Sequence, residues 1–170
     1  MQQPLSNIEL SALVGVPPEQ ILKYSDLKQF NDISELFTEH PFRIVLLEEE
    51  VKKGHWVVAF TQNGKYFYFN SYGNASDRDL EIIPRLKRIF LGEDRREFRR
   101  LLHGKKMWYN TVKWQGPTSE TCGRWVALVA TLAKVGFDGP EVNQYLQKNV
   151  KNDDGILKVI QTPRTIDFTA

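Results

Sequence analysis

The apolar positions of this chain change period several times, and each change marks an element. Residues 43–48 (RIVLLE) are nearly continuously apolar, the pattern of a buried strand. Residues 56–60 and 65–70 are rich in aromatic and β-branched side chains, and Thr61-Gln62-Asn63-Gly64 lies between them. Asn-Gly between two such runs predicts a hairpin, because both positions accept positive φ. Residues 106–113 (KMWYNTVK) predict another strand, and 156–160 a weak last one.

Helical spacing fills the remainder. Ser6 with Glu9 three residues on is a capping box, and predicts a short helix ending near Gly15. Pro17-Pro18 breaks the chain, and short helices are expected over 19–24 and 33–38. Pro84 opens a helix whose apolar stripe is Leu86, Ile89 and Phe90 before Gly92. The next helix turns Phe98, Leu101 and Leu102 inward and closes at Gly104. Residues 122–135 are apolar nearly all round, which predicts a buried central helix ended by Gly136; 140–149 is amphipathic. The fold class is α+β: a small mixed β-sheet packed on a central helix. A chain of 170 residues fits one domain over 1–170, with flexible tails at about 1–5 and 163–170.

Composition narrows the classes. No apolar run approaches the roughly 18–20 residues that cross a bilayer, so no membrane partner is expected. The opening MQQPLSNIELSALVG lacks the basic start and apolar stretch of a secretory signal. One cysteine, Cys122, excludes an internal disulfide and a Cys-based metal site, and suits a reducing compartment. The net charge of +2 is unevenly spread: the 85–106 segment alone carries an excess of +6, leaving −4 elsewhere. Within it Arg95, Arg96, Arg99 and Arg100 recur at helical spacing. They suit either a solvated face or phosphate contacts with DNA that read no bases.

The chemistry concentrates in four residues. Cys122 opens the apolar helix, where unpaired N–H groups and the helix dipole favour thiolate, the nucleophilic form. A buried inert cysteine is the plain alternative. His55, in GHWVVAF, begins a strand and is the candidate base, with Trp56 shielding it. His40 and His103 are placed worse, one before a proline in a loop and one in the basic helix. Asn70 ends the strand that hairpins back from His55, so it can accept from the ring N–H and fix its tautomer. Asp77 is the fallback carboxylate. Gln115 lies seven residues before Cys122, and its side-chain N–H with the Cys122 backbone N–H could form an oxyanion hole. Gly123 would let substrate approach the sulfur.

The GHW at 54–56, YFYFNSYG with its following Ser-Asp, and QGPTSETCG at 115–123 together resemble the maturation cysteine proteases of adenoviruses. Those enzymes share a clan with the proteases that process SUMO-like modifiers. The early SNIELSALVG helix and the basic LKRIF and RREFRRLL stretches fit as well, so the resemblance runs over about residues 6–150. It implies nucleophile Cys122, base His55 and oxyanion glutamine Gln115, with Asn70 where adenoviral enzymes carry an acid. It implies a protease of capsid and core precursors with a narrow cleft that takes small residues such as glycine. Adenoviral enzymes hold an activating viral peptide by a disulfide to a second cysteine, which this chain lacks. A viral peptide bound without a disulfide, DNA, or no activator at all are then the expectations, and no metal or other cofactor is required. Work as a monomer in the virion and host-cell interior, in nucleus or cytoplasmic virus factory, follows from the same resemblance. So does a source in another DNA virus, such as a virophage or Polinton-like virus. An isopeptidase acting on ubiquitin or a ubiquitin-like modifier, and a non-catalytic DNA-binding or scaffold protein, are the alternatives.

Overall fold

The computed structural model describes residues 4–50, 53–93, 95–117 and 119–160. Five strands make one sheet in chain order: β1 (Leu22–Lys23), β2 (Phe42–Glu50), β3 (Lys53–Gln62), β4 (Lys65–Phe69) and β5 (Met107–Tyr109). The middle three are antiparallel, and each short edge strand runs parallel to its neighbour, so the sheet is mixed. The hairpin forms at Asn63-Gly64, with φ of 52° and 75°, and it sets the register Gln62↔Lys65 through Val58↔Phe69.

The described helices are α1 (Asn7–Val14), α2 (Arg85–Leu91), α3 (Glu97–Leu102), α4 (Cys122–Lys134), α5 (Gly139–Asn149) and α6 (Asp153–Val159). Ser6 and Glu9 close both arms of their capping box, and Gly15 ends α1 in the left-handed region. The central α4 lies on one face of the sheet, where Trp56, Val58, Phe60, Phe67 and Phe69 meet Trp125, Val126 and Val129. The opposite face carries Val57, Ala59 and Tyr68, and packs on α3 and two 3₁₀ segments, Tyr24–Gln29 and Ile33–Phe37. Both faces of the central strands are therefore dry. Each buried aliphatic or aromatic side chain contributes about 1.5–3 kcal/mol of transfer free energy.

Several expectations change. The helix expected at 19–24 is a 3₁₀ turn, Pro18–Gln20, followed by β1, because Leu22 and Lys23 gain ladder partners at Val45 and Leu46. The 33–38 helix is the 3₁₀ segment Ile33–Phe37, capped where Asp32 accepts from the Ser34 N–H. The strand expected at 106–113 stops at Tyr109, since Asn110 leaves the ladder to bind the backbone of Asn70. The strand expected at 156–160 is α6: Asn152 caps it by accepting from Gly155 N–H at 3.0 Å, and Asp153 and Asp154 favour its first turn. The α2 stripe faces water, with Leu86 and Phe90 exposed at 83% and 79%. The buried anchors are Ile83 and Leu91 at its two ends, which turn the residues between them outward. Leu5 is core, not tail, and its carbonyl accepts from Trp56 Nε1 at 3.0 Å. Residues 1–3 and the 163–170 tail lie outside the described residues.

Gly54 precedes His55 and pairs with Glu48 of β2. A Cβ there would lie 1.9 Å from the Leu47 carbonyl oxygen, and backbone cannot yield as a side-chain tip can. Gly54→Ala is expected to destabilise by at least about 2 kcal/mol. For a chain of this size that lowers Tm by roughly 4–8 °C. Thermal unfolding by circular dichroism checks it, and an unchanged Tm would refute the close approach.

Candidate active site

Cys122 is the first residue of α4 and is buried at 6% exposure. Thr121, the N-cap, makes no side-chain bond to the helix backbone; its hydroxyl donates to Asp153 Oδ1 at 2.6 Å instead. The Gly123 N–H is thus left to reach the Cys122 sulfur, and the Trp56 N–H does the same. β4 ends opposite Val58, so on that side β3 has no ladder partner at Trp56, although β2 still pairs with it on the other. Gly123 does not open the sulfur to a substrate as expected. A Cβ there would meet Leu5 at 3.0 Å and Trp56 at 3.4 Å, so its smallness lets α4 pack on the N-terminal segment.

His55 sits past the same end of β4, paired with Leu47 of β2 but uncovered on the β4 side. Its Nε2 bonds Asn70 Oδ1 at 2.7 Å, and its ring stacks on Tyr72 at 4.5 Å between centroids. The ring also hydrogen-bonds Cys122, which leaves Nδ1 for the sulfur. Asn70 is fully buried and tied at every polar atom. Oδ1 also accepts from the Tyr72 N–H, Nδ2 donates to Asp79, and the Asn110 side chain bridges its N–H and C=O. Asp79 in turn accepts from Asn74 Nδ2 at 2.6 Å. These bonds fix which way the Asn70 amide points.

Two opposite pKa shifts follow from this geometry. Burial pushes the His55 imidazole down, but the bond and negative charge of Cys122, the Asn70 bond and the Asp79 charge outweigh it, so its pKa lies above the usual histidine value. Burial pushes the Cys122 thiol up, but the His55 bond and charge, with the Trp56 and Gly123 N–H groups, bring it below the usual thiol value. The pair is biased toward thiolate and imidazolium.

Gln115 is buried on the loop before α4. Ser71 Oγ donates to its Oε1 at 2.5 Å, and its Nε2 donates to the Ser119 carbonyl at 2.7 Å. The two bonds settle the amide orientation and leave the second Nε2 proton. The Trp114 and Gln115 N–H groups both reach the Ser71 carbonyl, at 2.8 and 3.0 Å. Asp153, at the start of α6, ties down the rest of this loop through the Gly116 N–H, the Thr121 hydroxyl and Trp125 Nε1.

The fallback Asp77 does not approach His55. It sits at φ 67°, accepts from the Tyr24 hydroxyl, and takes the Phe98 and Arg99 N–H groups that open α3. Asp79, two residues on, is the carboxylate that reaches Asn70. The sequence does place acids in the segment after Asn70, but only its turn decides which one points back. Ser71 and Asp153 were missed because their partners lie 44 and 32 residues away, Gln115 for one and Thr121 for the other. His40 packs beside Phe42, and His103 Nε2 contacts the Asn31 carbonyl, so neither joins the site.

The four arginines do not form one helical face. Arg95 and Arg96 precede α3, and Arg100 turns back to the Leu27 and Phe30 carbonyls and to Glu97. Arg99 remains exposed on the helix.

Neither a protein-family model nor a curated protein sequence matches the chain. Solved structures do. The fold is similar to that of the ASFV pS273R protease. Two crystal structures of that protease, one with selenomethionine, superpose with TM-scores of 0.52 and 0.51 at 14% and 11% sequence identity. Both matches cover 91% of this chain, which spans 65% of the length of the ASFV protease. The mixed sheet and its helices thus match the fold of that protease, as the α+β reading anticipated.

Proposed function

We propose that this chain is a viral cysteine endopeptidase that cleaves capsid and core precursors during particle maturation. The observation that carries the reading is the hydrogen-bonded series Cys122, His55, Asn70 and Asp79 at the start of a buried helix. The similarity of the fold to a viral protease supports it.

In this reading the Cys122 thiolate attacks the scissile carbonyl carbon, and the C–S bond forms as the carbonyl π electrons move to oxygen. The second Nε2 proton of Gln115 and the Cys122 N–H face that oxyanion. The C–N bond then breaks, and the amine leaves with the proton held on His55 Nδ1. Water attacks the resulting thioester while His55 takes its proton, and the carboxylic acid departs as the thiolate–imidazolium pair is restored. Asn70 keeps Nε2–H occupied, so that Nδ1 always faces sulfur.

The test is hydrolysis of a capsid-precursor peptide with glycine near the cut, beside a fluorogenic ubiquitin-type substrate. Cleavage of the precursor with thioester formation at Cys122 is expected. Cleavage of the modifier alone would give the site to an isopeptidase. Salt-sensitive DNA binding with no thiol chemistry would leave a non-catalytic protein on this fold.

Asp79 is a positioning residue here, since it acts through Asn70. Its charge raises the His55 pKa, so Asp79→Asn lowers it. Imidazolium is lost as pH rises through that pKa, so the alkaline limb of kcat/KM is expected to move to lower pH. At neutral pH kcat should fall roughly ten-fold with KM unchanged, about one pKa unit of lost stabilisation. A profile superimposable on wild type would remove Asp79 from the reading.

A further inference from the structure

A cleft of about 310 Å³ opens beside α3, apart from the Cys122 chemistry, and four cations line it: Arg78, Arg96, Arg99 and Lys105. They come from three places, the 3₁₀ turn Arg78–Ile82, the start of α3 and the loop after it. Leu102 supplies apolar wall, and the one carboxylate in the lining is Asp77. The Asp77 oxygens already take the Tyr24 hydroxyl and the Phe98 and Arg99 N–H groups, and its single charge faces four cations. Lys105 lies 3.6 Å from Asp32 in an exposed pair of small worth. Among the described residues the guanidinium groups of Arg78 and Arg99 have no ion pair. Like charges gathered round one concavity repel one another and focus a positive field into it, which an anion relieves.

We infer that this cleft binds a compact, phosphate-dense anion of the tripolyphosphate or inositol polyphosphate class. Arg78 and Arg99 bring planar guanidinium forks to it, which match phosphate oxygens in pairs. Their convergence on one cavity calls for several charges in a small volume. A nucleic acid strand instead spreads its phosphates along a line and needs a track of cations. The residues that would extend such a track are diverted: Arg100 is spent on the Leu27 and Phe30 carbonyls and Glu97, and Arg95 does not line the cleft. The walls are set before any ligand arrives, since Asp77 fixes the turn that carries Arg78 to the first turn of α3 that carries Arg99.

Titration calorimetry of the full chain with sodium tripolyphosphate tests this without reference to proteolysis. One site per chain is expected, with inorganic phosphate and sulfate at least about ten-fold weaker and affinity falling as salt rises. Arg78→Gln with Arg99→Gln should weaken tripolyphosphate at least about 30-fold, the loss of two charged hydrogen-bonding groups. Both side chains are exposed, so an unchanged thermal melt of the free variant shows that its fold is intact. Equal affinity of variant and wild type would overturn the assignment. So would failure of both tripolyphosphate and inositol hexakisphosphate to bind at millimolar concentration. Tight binding of a short DNA duplex that tripolyphosphate does not displace would overturn it too, and would return the basic surface to nucleic acid.

Discussion

Cys122→Ala is expected to abolish cleavage of the precursor peptide, with kcat/KM falling by at least about four orders of magnitude. In the proposed mechanism the sulfur is the attacking atom, and it is held by three separate contacts: the ring and the Trp56 and Gly123 N–H groups. Alanine removes the bond-forming atom and leaves the frame. The volume lost is small, so stability should change by only about 1 kcal/mol, and the variant should still bind substrate. Retained cleavage by a Cys122→Ala protein that melts like wild type would reject the protease reading outright.

The second large effect is on thiol reactivity. In wild type the Cys122 pKa is lowered and the His55 pKa raised. Thiolate therefore persists as pH falls below the ordinary thiol range, and imidazolium persists as pH rises above the ordinary histidine range. The ion pair lives between the two limits, and kcat/KM should be bell-shaped, with apparent pKa values that belong to the pair. His55→Ala removes the bond and charge that lower the thiol pKa, while burial, which raises it, stays. The thiol should then titrate above its ordinary value, and iodoacetamide alkylation at neutral pH should slow by about 100-fold or more. Alkylation followed across pH by mass spectrometry checks both limbs. Identical profiles for wild type and variant would mean that ring and sulfur do not couple in solution. Asn70→Ala should give an intermediate profile, since it frees the ring without removing it.

Much of this site is local enough to read from the chain. A cysteine at the head of a run that is apolar from Trp125 to Ala130 predicts the start of a buried helix, because the few polar residues, Arg124, Thr131 and Lys134, leave it only a narrow solvent face. An Asn-Gly turn between two β-rich segments sets their register, and register alone brings the start of β3 to the end of β4, hence His55 to Asn70. The capping box at Ser6 and the mixed sheet on α4 have the same local origin. Where local preference competed with tertiary partners, the partners won. Leu22 and Lys23 took a place at the sheet edge over a helical turn, and Asn110 left its strand to hold Asn70. The α2 stripe turned outward because Ile83 and Leu91 are the residues the core accepts.

Sequence alone determined the kind of fold and singled out Cys122 and His55 as the candidate pair in that order along the chain, since each depends on side-chain type and on periods of a few residues. Only the tertiary structure decided that Asp79 and not Asp77 backs Asn70. Only it showed that Ser71 and Asp153 hold the loop before α4, that Gly123 faces the core, and that Arg78 and Lys105 join Arg96 and Arg99 around one cleft. The physical reason is common to all of these. Each contact joins a turn to a distant segment, and where a short polar side chain points depends on the φ and ψ of its turn and on what packs beside it, neither of which leaves a period in the sequence.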